Sequence, residues 1–180
     1  MDSTRNYQDA TIVGERDAAL YVFRRQKAFA EHCLQQVSDA QFFALPADDM
    51  NSLAVLVKHL AGNMRSRWSD FDAMLRHEVD GEKGDRDRER EFEVGEPTSA
   101  NRASLMQAWD EGWSCVFAAI ESLDAARFEQ TVRIRGVELS VHLAVLRQID
   151  HYAYHVGQMA FIARMLAGSA GWQWFTMKKP

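Results

Sequence analysis

The sequence predicts an all-α fold, a four-helix bundle with one short β-hairpin just ahead of its last helix. Three observations lead there. Apolar residues recur at three- and four-residue steps through four long stretches of the chain. One stretch alone, Thr131–Leu139, shows strand-like alternation. Finally, 180 residues that are 47% hydrophobic and 26% charged suit one globular domain, residues 1–180, with a sizeable core.

The first long helix runs from about Asp17 to Val37. Leu20, Phe23, Ala30, Leu34 and Val37 form its stripe, with Arg24, Arg25, Gln26, Glu31 and Gln35 between them. Ser38-Asp39 ends this helix or caps a short turn through Gln41–Ala44, which Pro46 closes. The second long helix starts near Asn51 or Ser52, both good capping residues. It carries Leu53, Leu56, Val57, Leu60, Met64, Trp68, Phe71 and Leu75 along one stripe, opposite Lys58, Arg65, Asp72 and Arg76.

Between Asp80 and Pro97 the periodicity gives way to alternating charge punctuated by Gly81, Gly84 and Gly95. This reads as a solvated connection or a lid, with Phe92 and Val94 as anchors to the body. So long a connection allows its flanking helices to pair parallel or antiparallel. The third helix spans about Asn101 to Leu123, capped by Ser99 or Asn101, with Leu105, Trp109, Trp113, Val116, Phe117 and Ile120 as its stripe. Thr131–Ile134 and Val137–Leu139 then alternate around an Arg135-Gly136 turn. Ser140 caps the fourth helix, from about Val141 to Leu166, and Gly168 and Gly171 end it. The tail Trp172–Phe175 is too aromatic to be left in water and should dock on the bundle or on a second subunit.

Composition removes several function classes. A net charge of −5 with both signs interspersed argues against a nucleic-acid binder. No uncharged run approaches the roughly 18 residues that a membrane span needs. The first residues form no apolar signal region, so a cytoplasmic protein is expected. Cys33 and Cys115 form no C-x-x-C pair and read as two small buried thiols.

The chemistry lies in histidines. His151 and His155 are four residues apart on the most apolar helix, so both imidazoles leave the same face, shared with Ala144, Gln158, Ile162 and Met165. Asp150 and Arg164 are expected to point elsewhere. His59 flanks the apolar stripe of the second helix, in line with Ser52, Leu56 and Asn63. Three neutral imidazoles from two helices can hold a divalent metal and leave a position open, as catalytic sites do. A pair at this spacing also arises by chance in about one chain in five of such composition, so a solvated helical pair is the bland alternative. His32, His77 and His142 read as surface histidines. Ser140 and Cys115 lack a visible base partner, and no His-Glu-x-x-His occurs, which disfavours a zincin-like protease.

His151-x-x-x-His155-x-Gly157-Gln158, late in a four-helix chain, joins a lone His59 within Lys58-His59-Leu60-Ala61-Gly62-Asn63. With Asn51–Trp68, Gly81–Lys83, Arg86–Phe92, Thr131–Gly136 and the aromatic tail, the chain resembles the DinB-like (YfiT-like) metal-dependent hydrolase superfamily. Within it, the likeness is to an uncharacterised bacterial subgroup, from which the chain departs at Gly84-Asp85. The resemblance implies a homodimeric bundle with a divalent metal, zinc or nickel, on His59, His151 and His155. It also implies a small-molecule substrate, with hydrolysis or S-transfer from a low-molecular-weight thiol as the reaction. Asn63, Gln158 and Tyr154 are then candidates for orienting a ligand or supporting the metal's own ligands, and at most one of Tyr152 and Tyr154 can reach the site. The alternative is a non-catalytic, stress-associated dimer in which the ion only staples two helices.

Overall fold

Four long helices form the body: α1 (Glu15–Leu34), α3 (Leu53–Trp68), α5 (Ser99–Glu121) and α7 (Val141–Ala167). Short helices α2 (Asp39–Phe43), α4 (Phe71–Leu75) and α6 (Ala125–Phe128) and a two-stranded ribbon, β1 (Thr131–Ile134) and β2 (Val137–Ser140), connect them. This computed structural model describes residues 14–82 and 89–175. The Gly84-Asp85 departure and the middle of the charged connection lie outside the described residues.

Side-chain contacts fix the helix directions. Arg24 meets Glu121, Lys27 meets Asp110 and Arg102 donates to the Leu34 carbonyl, so α1 and α5 are antiparallel. Glu15 meets His142, Gln26 donates to the Ile149 carbonyl and Gln41 to the Leu166 carbonyl, so the chain through α1 and α2 runs parallel to α7. Ala61 and Met64 flank Gly112, while Asn63 and His59 face Tyr152 and His155. α3 therefore runs antiparallel to α7 and parallel to α5. The long charged connection is what makes that parallel neighbour possible. An added Cβ on Gly112 would lie 3.1 Å from Met64 Cβ and 3.2 Å from the Ala61 carbonyl oxygen, which shows how closely α3 and α5 approach.

Phe23 of α1 sits at the centre of the core. Its ring centroid lies 6.4 Å from Trp68, 6.2 Å from Trp113 and 5.7 Å from Tyr152, one contact with each of the other three long helices. Trp109 and Trp113, expected from helical spacing to be core, are fully buried.

The expected second helix is interrupted. α3 stops at Trp68, Asp70 leaves helical geometry (φ −121°, ψ 40°), and α4 restarts at Phe71. The break folds Phe71 back onto Trp68, with ring centroids 5.3 Å apart, and buries Phe71 and Met74. Ser52, Ser140 and the Ser38 capping box begin their helices as the sequence indicates. The third helix starts slightly earlier than expected, because Thr98 rather than Ser99 or Asn101 accepts from the Asn101 N–H. Asn101 instead donates to the Val94 and Glu96 carbonyls and so ties down the end of the connection. Val94 anchors it as expected. Phe92 does not, being 63% exposed, and Lys58 holds that stretch by donating to the Arg90 and Glu93 carbonyls.

The ribbon has the expected register, with Ile134 opposite Val137 across Arg135 and Gly136. Both turn residues have positive φ, 55° and 74°, the geometry of a two-residue hairpin turn. Val132 and Ile134 supply its buried face. Beside it, the Gly81 N–H donates to the Arg133 carbonyl, and an added Cβ at Gly81 would lie 2.4 Å from the Met74 terminal methyl, which would have to move, and 3.1 Å from Ile134 Cγ1.

The tail docks on its own bundle. Phe175 packs on Phe29, Arg164 lies over Trp174, and the Gln173 carbonyl accepts from Gln36 and contacts His32 Nε2. Cys33 is buried, and burial pushes its thiol up to about 11; Cys115 is half-buried. Among the described residues, no helix is long and apolar enough to cross a membrane.

Candidate metal centre

His59 on α3 and His151 and His155 on α7 meet where these antiparallel helices face each other. Ring centroids are 5.5 Å apart for His59 and His151, 4.8 Å for His59 and His155, and 4.6 Å for His151 and His155. One nitrogen from each ring falls within 4.8 Å of the other two, and all three side chains are half-buried. A tetrahedral ion about 2.0–2.1 Å from each nitrogen would set such nitrogens about 3.4 Å apart, so the imidazoles would have to turn inward to grip it. The donor set, three imidazole nitrogens, fits a divalent metal ion.

Gln158, one turn beyond His155, places Oε1 2.8 Å from His155 Nδ1. That oxygen accepts the Nδ1 proton, which leaves the Nε2 lone pair for an ion. Burial, and secondarily the neighbouring His59, hold the His155 pKa below its ordinary 6.5, against the opposing pull of Gln158. A depressed pKa favours the neutral ring that a metal requires. It also means that stability present above about pH 6.5 is lost as pH falls through the depressed value and His155 takes up a proton. Replacing Gln158 with leucine frees the tautomer and is expected to weaken metal affinity about 10- to 100-fold, measured by competition with a chromogenic chelator.

Asn63 shares a helical strip with His59 but is committed inward. Trp68 Nε1 donates to the Tyr152 hydroxyl at 3.0 Å, and that hydroxyl donates to Asn63 Oδ1 at 3.3 Å. Tyr152 is thereby a buried core residue that positions Asn63. Both flanking tyrosines touch the triad, contrary to the expectation that at most one could: the buried Tyr152 ring centroid lies 5.8 Å from that of His151, and the exposed Tyr154 ring centroid 5.0 Å from that of His155. Ala144 and Ile162 are buried on the inward face as expected, whereas Met165 is largely exposed. The other histidines serve elsewhere: His142 pairs with Glu15, which raises its pKa, and His77 contacts Thr131.

A polar cleft that the helix stripes do not reveal adjoins the triad. His151 forms one wall of this cleft of about 330 Å³, lined also by Asn63, Arg67, Arg135, Arg147, Gln148, Asp150 and Tyr154. Asp150, expected to point away from the histidines, is exposed yet lines this cleft. A signal was present. Arg67 follows His59 and Asn63 at four-residue steps, and Arg147, His151 and Tyr154 follow one another at steps of four and three. Arg135 could not have been placed, because it arrives from the ribbon.

No curated protein and no solved structure matches the chain. A family model described as "Protein of unknown function (DUF1572)" matches residues 16–180. The histidine triad, its supporting Gln158 and the arginine-lined cleft all fall inside that span, and the chain belongs to the DUF1572 family.

Proposed function

We propose that this chain is a metal-dependent enzyme related to the DinB-like superfamily, acting on a small-molecule substrate in the cytoplasm. The observation that carries the reading is the convergence of His59, His151 and His155 beside an open polar cleft. A structural ion takes a closed set of four protein ligands, whereas three imidazoles leave room for a reactant. Zinc or nickel there supplies the Lewis acidity that makes water or a thiol a nucleophile at neutral pH. The chain's own residues do the rest. His155 is held as the correct tautomer by Gln158, Asn63 is held by Tyr152 at the cleft wall, and Tyr154 and Asp150 offer a hydroxyl and a carboxylate at its mouth. Asp150 gives a proton acceptor in either reaction, for the attacking water in hydrolysis and for the thiol proton in S-transfer.

The test compares metal-loaded and chelated protein in two assays, hydrolysis of an activated ester and thiol addition to an aryl halide. Turnover that follows metal content and is lost in His151→Ala supports the enzyme. Loss of thermal stability on chelation with no turnover in either assay favours the stapling alternative.

The same proposal includes a homodimer. Leu143, Leu146, Tyr154, Phe161 and Met165 are all at least 44% exposed and lie along one outward strip of α7. Gly157 sits mid-strip with open space around it. Two antiparallel copies of α7 crossing there set Phe161 of each against Tyr154 of the other, a self-complementary pairing. Light scattering is expected to give twice the chain mass for the native protein and the single-chain mass for Phe161→Glu. A native monomer removes this part of the proposal.

A further inference from the structure

The cleft beside His151 carries more positive charge than a solvated surface dip needs. Arg67 is buried, 6% exposed, with Nη1 donating to the Gly81 carbonyl at 2.5 Å and Nη2 3.7 Å from Glu82. Glu82 also pairs with Arg135, so one carboxylate is shared between two guanidinium groups. Arg147 is exposed and makes no hydrogen bond or ion pair among the described residues. Counting Asp150 and Glu82 against the three arginines leaves the cleft net positive before any metal is bound. Only Arg67 is buried, a desolvation cost that its neighbour Glu82 offsets, whereas Arg135 and Arg147 keep their guanidinium groups open to the cleft.

Two further observations point to a ligand. Gln148 is only 7% exposed and lines the cleft, yet its buried Oε1 has no hydrogen-bond partner. No other bond engages its amide among the described residues, so the group is held in place without a protein partner, contrary to the usual fate of buried amides. The other is Arg135, which adopts positive φ at a turn position that favours asparagine or glycine. The strain is supported by Asp80, whose carboxylate accepts from the Arg135 and Gly136 N–H groups at 2.7 Å each. A long cationic side chain in that backbone conformation is therefore carried over the cleft by a turn that is itself clamped.

We propose that this cleft recognises the oxyanionic end, carboxylate or phosphate, of a small substrate whose other end meets the histidine triad. Arg147 would supply the direct charge-assisted contact, Arg135 a second one from the ribbon, and Gln148, its amide turned so that Nε2 rather than Oε1 faces the ligand, a neutral N–H contact. Arg67 holds the Gly81-Glu82 segment and is a positioning residue. A cleft of about 330 Å³ is at the small end for ligand sites, which fits a compact metabolite. The inference names the substrate class of the site proposed above and rests on that reading; the anion contact is measured apart from the metal so that the two can fail separately.

The experiment is calorimetric titration of the metal-analysed full-length chain with inorganic phosphate and, in a second arm, with succinate. Arg147→Gln and a distant control, Arg24→Gln, are run alongside, each with its metal content measured. Saturable binding of at least one probe is expected, weakened about tenfold or more by Arg147→Gln with metal content unchanged, and unaltered by Arg24→Gln. The stronger arm tells phosphate from carboxylate. Absence of saturable binding in both arms overturns the inference. So does binding that Arg147→Gln leaves intact, because the anion then sits on the metal or elsewhere. Anion binding that depends on Arg147 in a chain that takes up no metal keeps the cleft and refutes the metal centre instead.

Discussion

Replacing His155 with alanine is expected to lower bound divalent metal from about one ion per chain to under about a tenth. The variant keeps two imidazoles, but His155 is the ring whose tautomer Gln158 fixes and whose centroid is nearest to both partners. The second readout is thermal. An ion present at 100 to 1,000 times its Kd stabilises by about 3–4 kcal/mol. For a chain of 180 residues that corresponds to a Tm shift on the order of 6–16 °C. A chelator should therefore lower the Tm of the native protein by that order and leave the variant's unchanged. Circular dichroism should show the same helix content in both, since the ring is only half-buried and lies outside the aromatic core.

Phe23→Ala should do the reverse, damaging the body first and the site as a consequence. Phe23 is fully buried and touches Trp68, Trp113 and Tyr152, so its removal leaves a cavity shared by all four long helices. Truncations of this kind cost about 3–5 kcal/mol. Urea unfolding should record that loss as an earlier midpoint with little change in slope. Tyr152 loses a packing neighbour, and with it the support for Asn63 weakens. Metal affinity should fall only modestly, because the imidazoles stand on helices that remain formed. A loss below about 1 kcal/mol would mean that the four helices do not converge on this ring.

These two expectations divide along the line between what the sequence reveals and what it hides. Helix stripes, the Ser52 and Ser140 caps and the Arg135-Gly136 turn are local, set by side-chain spacing and backbone preference, and they were legible. So was the His151/His155 pair, because a four-residue step on a helix is a geometric statement. The meeting of His59 with that pair is not local: it requires α3 to run antiparallel to α7, which a long connection leaves open. The break at Asp70 was hidden because the apolar period continues through it into Phe71 and Leu75. Charge in the cleft was missed for a similar reason. Arg67 and Arg147 look like ordinary solvated arginines on their helices, and they acquire meaning only when the ribbon brings Arg135 beside them.

X-ray absorption at the metal edge of the untagged native protein tests the centre most directly. The native protein is expected to carry one divalent ion per chain with three imidazole nitrogens at about 2.0–2.1 Å and at least one light-atom ligand that exogenous thiol replaces with sulfur. A chain that carries no metal after incubation with zinc and nickel, or one whose metal shows no imidazole scattering, would contradict that expectation.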